Sequence, residues 1–310
     1  MKLLPISQVL NGLANEFVLH GNRGCGLSGK QFVFRDKKME KTSVIVTGAT
    51  GFVGRYVVRC LVDRGYNVIA IGRNLKKAKS FDWFESVKFI CLDYHQQNLE
   101  LDSFQKTSLV HLGWDGLPNY KSLFHFEENL PKNYEFIKDL ISKGVEAALI
   151  VGTCFEYGMV NGEISSDHPT SPSNSYAFAK DCLRKQLEFL KQQSDFSMKW
   201  ARLFYVYGEG QSERSILSML GKAIADGDEY FNMSGGEQLR DYLPVEKVAQ
   251  KLVEIYECDI EGNFNICSGE PVSMRRLVEK HIRNCGSSIK LNLGFYPYVD
   301  YEPMAFWGKK

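Results

Sequence analysis

The sequence lacks a run of about 18 apolar residues, a basic and apolar leader, and any pair of cysteines in C-x-x-C spacing. The first two absences argue against a transmembrane helix and a secretory signal peptide, so we expect a cytoplasmic protein without a membrane partner. The chain has eight cysteines. Because their spacing fits neither a zinc site nor a disulfide framework, they predict buried, reduced thiols and no bound metal.

The sequence also has almost no excess of one charge. It contains 38 Lys and Arg against 37 Asp and Glu, a net charge of +1. Such a balance provides no overall field to attract nucleic acid or an anionic membrane, so neither is expected as a partner. An apolar fraction of 44% over 310 residues is typical of a globular protein that buries a full core, in one domain or two unequal lobes.

Short apolar runs alternate with amphipathic stretches between residues 42 and 208. This alternation is typical of βαβ units, and continuous apolar runs fit strands that are covered on both faces. The predicted strands are 42–47, 66–71, 87–92, 108–112, 146–152 and 198–205, and the predicted helices are 51–64, 122–143 and 175–193. The sequence therefore predicts an α/β fold with a doubly wound parallel sheet over residues 42–208.

Residues 1–41 differ from the sequence that follows them. They mix Gly, Asn and Arg with scattered aromatic residues, and their apolar residues show weak periodicity. We expect this segment to be an appendage outside the fold. It is either a non-native extension, with Met39 as the natural start, or a disordered part of the protein.

Beyond Gly208 the order of elements is looser, with loops of Gly, Asn, Arg and aromatic residues. Helices are predicted over 212–224, 245–258 and 273–284, and a strand over 263–266. We expect residues 209–310 to form mainly a smaller substrate-binding lobe. Residues 245–268 are expected to return to the first domain, so that the two lobes are partly interleaved.

Three glycines at three-residue spacing join the first predicted strand to the first predicted helix, in the segment TGATGFVG. Gly48 permits a tight turn, Gly51 lets backbone approach a pyrophosphate, and Gly54 lets the helix pack closely on the sheet. The helix N-terminus then presents free N–H groups to the anion. The motif predicts a nicotinamide dinucleotide site and a fold of the Rossmann type. Its predicted cofactor-binding residues are Gly48, Thr50, Gly51, Phe52, Val53 and Gly54.

The end of the second predicted strand bears on which dinucleotide is bound. NAD sites place Asp or Glu there, whereas NADP sites place Arg near the 2′-phosphate. This chain has Gly72-Arg73-Asn74, without an acid. Arg73 therefore favours NADP(H), with Arg55 as a second candidate cation; NAD(H) stays the alternative.

Tyr176 and Lys180 are four residues apart on a predicted helix, so both side chains project from one face. A phenol titrates near pH 10 and is a poor base at neutral pH. A neighbouring ammonium favours the phenolate and makes it useful for acid–base chemistry. The pair predicts a catalytic site, with a chance surface pair as the alternative.

Together with segments 152–158, 202–208 and 235–242, these motifs resemble the extended short-chain dehydrogenases of the NAD-dependent epimerase/dehydratase family. The resemblance covers about residues 42–308. It implies a nucleotide-sugar substrate, and a homodimer formed through the helices at 122–143 and 175–193. The residue roles it implies are catalysis by Thr153, Tyr176 and Lys180, cofactor contacts by Asp93, Leu112, Gly113, Tyr176 and Lys180, and substrate binding by Thr153 and Arg240, the latter on the diphosphate.

The residues after Thr153 limit which reactions are expected. The family's sugar 4,6-dehydratases carry Asp and Glu at the positions of Cys154 and Phe155, so dehydration is not expected. Segments 113–120 and 296–308 resemble the subgroup of dTDP-6-deoxy-L-talose 4-dehydrogenases, which are 4-ketoreductases. The resemblance therefore implies reversible reduction of a 4-keto-6-deoxy sugar at C4. The alternatives are a nucleotide-sugar 4-epimerase with retained NAD and a non-catalytic NADP(H)-binding regulator.

Overall fold

The computed structural model describes residues 42–96, 104 and 106–310, so the appendage expected at 1–41 lies outside the described residues. The strands are β1 (Ser43–Thr47), β2 (Asn67–Gly72), β3 (Lys88–Cys91), β4 (Thr107–His111), β5 (Val145–Thr153), β6 (Gly162–Ile164), β7 (Ser197–Leu203), β8 (Tyr205–Tyr207), β9 (Tyr230–Asn232), β10 (Leu239–Pro244), β11 (Gly262–Ile266), β12 (Pro271–Ser273), β13 (Lys290–Asn292) and β14 (Phe306–Gly308). The helices are α1 (Gly54–Asp63), α2 (Leu75–Ala78), α3 (Leu130–Ser142), α4 (Ser175–Lys191), α5 (Ile216–Asp226), α6 (Val245–Glu257) and α7 (Met274–Asn284).

Among the described residues, seven parallel strands form the central sheet in the order β11-β7-β5-β4-β1-β2-β3. Strand β1 is apolar on both faces, and its Ile45 pairs in register with Ile69 of β2 and Leu109 of β4. Helices α1 and α6 pack on one face of the sheet, and α3 and α4 pack on the other. The predicted α/β fold with a doubly wound parallel sheet is confirmed.

Helices α3 and α5 begin four or more residues later than the sequence predicts. A π-helical turn occupies His125–Asn129, and α3 begins only at Leu130, with Pro131 in its first turn. Proline is well tolerated there because the first turn of a helix leaves its N–H groups unpaired. Helix α5 begins at Ile216 because the Ser215 hydroxyl accepts the Ser218 N–H and caps the helix.

The remaining elements form a smaller layer beside the carboxyl ends of the sheet. Strands β8, β10 and β12 form one small sheet, and β9 pairs with β13. Helices α5 and α7 share an apolar cluster that includes Leu220, Phe231 and Val278. The chain then crosses back, since β11 pairs with β7 at the edge of the central sheet. Within the described residues, no helix has the length and apolar character needed to cross a membrane.

Candidate active site

A cavity of about 370 Å³ lies at the carboxyl ends of β1 to β4. Gly48 has a φ of +65°, and a Cβ on it would lie 2.9 Å from the Gly113 nitrogen. A Cβ on Gly54 would lie 2.1 Å from the Gly48 carbonyl oxygen. Phe52 and Val53 join this loop to Gly54, where α1 begins. The bare backbone fits the close approach of a pyrophosphate. The lining brings together the predicted residues Gly48, Thr50, Gly51, Arg73, Asp93, Leu112 and Gly113.

The loop that follows β4 is held against the glycine loop by a buried hydroxyl. The Thr47 hydroxyl accepts hydrogen bonds from the main-chain N–H groups of Leu112 and Gly113, both at 3.2 Å. Across the cavity, Asp93 accepts the His95 main-chain N–H at 3.1 Å. These contacts fix the walls of the groove, and the cofactor contacts implied for Asp93, Leu112 and Gly113 stay predictions.

Arg73 is ion-paired in the cavity. Its Nη1 and Nη2 donate to the two carboxylate oxygens of Asp115 at 2.6 and 2.7 Å, a bidentate ion pair. Asp115 belongs to the loop after β4, and its carbonyl oxygen accepts from the Asn129 side chain at 2.8 Å. Arg55 points instead to the carbonyl of Glu209. The cation that favours NADP(H) in the sequence is therefore paired, and the second candidate cation has another partner.

Thr153, Tyr176 and Lys180 share one buried site. Thr153 ends β5, while Tyr176 and Lys180 lie in the first two turns of α4, whose start is fixed by the Asn174 cap. The Thr153 side chain lies close enough to the Tyr176 phenol to lower its pKa. The Lys180 ammonium donates to the Val151 carbonyl at 2.9 Å. The structure thus brings the three predicted catalytic residues together, and their roles in catalysis stay predictions.

The charges in this site differ from the sequence expectation. Burial raises the pKa of Tyr176. The nearby Tyr120 and Glu156 raise this pKa further, and a hydrogen-bonding interaction with the Thr153 side chain lowers it. The Lys180 ammonium lies 4.1 Å from the centre of the Trp114 ring, and burial lowers the pKa of Lys180 to about 7. Tyr176 is therefore a neutral phenol, suited to donate a proton rather than to accept one.

Glu156 is a buried carboxylate to which the sequence analysis gives no role. It accepts the Thr153 main-chain N–H at 2.8 Å, the Trp200 indole N–H at 3.0 Å and the Arg202 Nε–H at 2.6 Å. Burial raises the pKa of Glu156 and the Arg202 guanidinium lowers it. In the sequence, Glu156 stands out as an acid inside the apolar segment TCFEYG, where a buried carboxylate requires a partner. Glu156 holds the backbone that presents the Thr153 hydroxyl.

The Glu156→Gln variant is expected to lower the free energy of unfolding by about 3–5 kcal/mol, because it leaves the Arg202 guanidinium buried without its counter-charge. In a domain of this size the melting temperature should then fall by roughly 6–20 °C. The control is Glu279→Gln, which removes an exposed i,i+4 partner of Arg275 and should change stability by no more than about 1 kcal/mol. Equal melting temperatures for the two variants would contradict the assignment.

Aromatic side chains surround the Tyr176 phenol. The ring centres of His125, Tyr120 and Trp114 lie 5.4, 5.7 and 6.0 Å from that of Tyr176. Tyr301, from the segment before β14, lies 6.0 Å from Tyr120. The segments 113–120 and 296–308 therefore meet beside the Tyr176 phenol. Aromatic walls of this kind suit the apolar faces of a sugar ring.

Arg240 lies in β10 and is almost fully buried. Its Nε and Nη2 donate to the Glu302 carboxylate at 3.1 and 2.9 Å, and its Nη1 donates to the Leu239 and Met304 carbonyls. Asp241 is not its partner, because that carboxylate accepts the main-chain N–H groups of the turn after β11. The contact of Arg240 with a diphosphate stays a prediction.

The fold is that of a known group of enzymes. A family model described as "NAD dependent epimerase/dehydratase family" matches residues 44–267. The chain belongs to that family. The resemblance that the sequence motifs indicate, and the prediction of an enzyme, are confirmed.

Relatives within the NAD-dependent epimerase/dehydratase family extend over most of the chain. The dTDP-6-deoxy-L-talose 4-dehydrogenase (NAD(+)) of Aggregatibacter actinomycetemcomitans is 31% identical over 270 residues, which cover 86% of this chain and 100% of the relative. The dTDP-4-dehydro-6-deoxyglucose reductase of Escherichia coli is 25% identical over 264 residues, which cover 77% of this chain and 80% of the relative.

Solved structures of family members share the architecture. The UDP-N-acetylglucosamine 4-epimerase of Methanobrevibacter ruminantium M1, in complex with UDP-N-acetylmuramic acid, has a TM-score of 0.77 at 22% identity. The match covers 86% of this chain and 90% of that chain. At this identity the likeness shows a common fold.

Proposed function

We propose that the protein is a nucleotide-sugar 4-ketoreductase, which reversibly reduces the C4 carbonyl of a nucleoside-diphosphate 4-keto-6-deoxy sugar. The observation that carries this proposal is the buried Tyr176 phenol beside the Thr153 side chain, in a site where burial raises the pKa of the phenol. Cys154 and Phe155 follow Thr153, so the site lacks the carboxylic acids that dehydration needs there. Two relatives are named for sugar chemistry of this kind, as a 4-dehydrogenase and a reductase.

In the proposed reaction, Tyr176 donates its proton to the oxygen that becomes the C4 alcohol. The Thr153 hydroxyl holds this oxygen, and Glu156 keeps Thr153 in position through its main-chain N–H. Positioning and stabilisation of the developing oxyanion are the main catalytic contributions of such a site. The dinucleotide, when bound, supplies the hydride. The net reaction uses one reduced dinucleotide and one proton for each alcohol formed.

Lys180 gives the reaction an expected pH dependence. Its pKa is lowered to about 7 by burial, so its ammonium is present below that pH and is lost above it. If the ammonium binds the nicotinamide ribose, as the family resemblance implies, kcat/KM for the dinucleotide should fall as the pH rises through about 7. In the Lys180→Arg control the guanidinium stays charged, so this fall should disappear. A wild-type profile that stays flat to about pH 9 would remove this role.

The proposal also covers the cofactor, the assembly and the location. The family is NAD-dependent, and one relative is named for NAD(+). The sequence predicts a preference for NADP(H) from Arg73 alone, but the Arg73 guanidinium forms an ion pair with Asp115.

We propose a homodimer through α3 and α4, since Phe178 and Phe189 on α4 are 47% and 68% exposed. The cytoplasmic location stays a prediction from the sequence.

Reduction of dTDP-4-keto-6-deoxy sugars, followed as loss of reduced-nicotinamide absorbance, tests the proposal. NADH and NADPH are run in parallel, and the sugar product is isolated. One C4 alcohol for each dinucleotide oxidised is the expected result. Folded protein that binds dinucleotide but leaves all these sugars unreduced would contradict it. Inversion at C4 of a nucleotide sugar without added dinucleotide would then favour the epimerase, and no reaction at all would favour the regulator.

A further inference from the structure

We propose that Asp115 selects the dinucleotide: its carboxylate accepts the hydroxyls of the adenosine ribose and repels a 2′-phosphate, so the protein prefers NAD(H). The inference rests on the proposed dinucleotide site but not on the identity of the sugar. It revises the choice drawn from the sequence, which takes Arg73 as an unpaired cation.

Sheet topology explains how an acid reaches this position. Strands β2 and β4 both pair with β1, one on each side. The loops that follow β2 and β4 therefore flank the glycine loop that follows β1. Arg73 comes from the first of these loops and Asp115 from the second, and both line the same cavity. The acid that is missing after β2 is supplied from a loop 42 residues later in the chain.

Asp115 is held in place by its own loop. Its carbonyl oxygen accepts from Asn129 at 2.8 Å, in the π-helical turn before α3. The Trp114 indole N–H donates to His125 at 3.1 Å, in the same turn. The Asp115 side chain is 30% exposed, so its carboxylate is accessible to a ligand in the cavity. A carboxylate on an anchored backbone is suited to discriminate between ligands.

The charges around this pair favour a diol over a phosphate. Both ends of the Arg73 guanidinium fork are used by Asp115, so a 2′-phosphate would have to displace the carboxylate and lie beside it. A ribose hydroxyl instead donates to the carboxylate and leaves the ion pair intact. The cavity also contains Asp93 and the cation Lys77, and His95 lies 3.8 Å from Asp115. One charge-assisted hydrogen bond corresponds to roughly 10- to 100-fold in affinity.

The test is a fluorescence titration of the full chain with NADH and with NADPH, without any sugar. The wild type should bind NADH more tightly by roughly 10- to 100-fold. In Asp115→Asn the side chain keeps its size but loses its charge, so Arg73 is released. We expect NADPH binding to strengthen and NADH binding to weaken until the preference is inverted. Adding Arg73→Met to this variant should remove the gain in NADPH affinity.

The matched control is Asp139→Asn, which removes a surface ion pair of α3 with Lys143 and should leave both affinities unchanged. The inference is overturned if wild type prefers NADPH, or if Asp115→Asn changes both affinities by the same factor. It is also overturned, together with the cofactor site, if folded wild type binds neither dinucleotide. Dinucleotide binding with the expected preference but without sugar turnover would count against the proposed reaction and leave the role of Asp115 supported.

Discussion

Replacement of Tyr176 by Phe is expected to lower kcat by at least about 10³-fold while the dissociation constant for the dinucleotide stays within about twofold. The variant removes the hydroxyl that we propose as the proton donor and keeps the ring that packs among Trp114, Tyr120 and His125. Because the phenol is buried, bulk water is poorly placed to replace its proton. Steady-state rates with a 4-keto sugar, together with a dinucleotide titration, check both parts.

The control for this variant is Tyr134→Phe, a half-buried tyrosine on α3 that packs against the apolar core beneath α3 and α4. Its turnover should equal that of the wild type. A loss smaller than about tenfold in Tyr176→Phe, with folding intact, would mean that another group delivers the proton.

Replacement of Gly54 by Ala is expected to weaken dinucleotide binding by about 100-fold. The added Cβ would lie 2.1 Å from the Gly48 carbonyl oxygen and 2.8 Å from its carbonyl carbon. That same carbonyl accepts the Gly51 N–H at 2.8 Å, so relief of the clash must distort the whole turn. Titration with NADH measures the loss, and circular dichroism reports whether the fold is retained.

Gly221 provides the matched control because it lies inside α5 and a Cβ there would meet no atom within 4 Å. Gly221→Ala should bind dinucleotide normally and should be slightly more stable, as alanine favours a helix. Normal NADH affinity in Gly54→Ala would contradict the assignment of this loop as the pyrophosphate cradle.

Features that depend on short stretches of sequence could be predicted well. The apolar runs of β1 and its neighbours predict a covered parallel sheet, and the spacing of Gly48, Gly51 and Gly54 predicts the loop. The four-residue spacing of Tyr176 and Lys180 predicts that both face the site, because it follows from helix geometry. These inferences need no knowledge of which distant segments become neighbours.

Pairs formed across the fold could not be predicted in the same way. The partner of Arg73 follows from the order of the strands around β1, which places the loop with Asp115 beside it. The partner of Arg240 is Glu302, 62 residues away. The sequence alone identifies the carboxylate partner of neither arginine. Only the tertiary structure shows that a carboxylate shares its charge.

The contacts of the Lys180 side chain are a further feature that the sequence could not predict. Helix geometry places it on the same face as Tyr176, but its ammonium contacts the Val151 carbonyl of β5 and the Trp114 ring of the loop after β4. Burial, rather than a Tyr–Lys charge interaction, therefore dominates the pKa values of both residues. That balance keeps the Tyr176 phenol protonated, so that it can donate a proton.

The measurement that tests the proposed reaction most directly is isotope transfer from a soluble dinucleotide. Reduced dinucleotide carrying deuterium on the transferred position of the nicotinamide is mixed with a dTDP-4-keto-6-deoxy sugar, and the sugar product is examined by NMR and mass spectrometry. A 4-ketoreductase should place one deuterium at C4 for each dinucleotide oxidised. Recovery of the keto sugar unreduced, without label at C4 and without consumption of the dinucleotide, would contradict the proposed function.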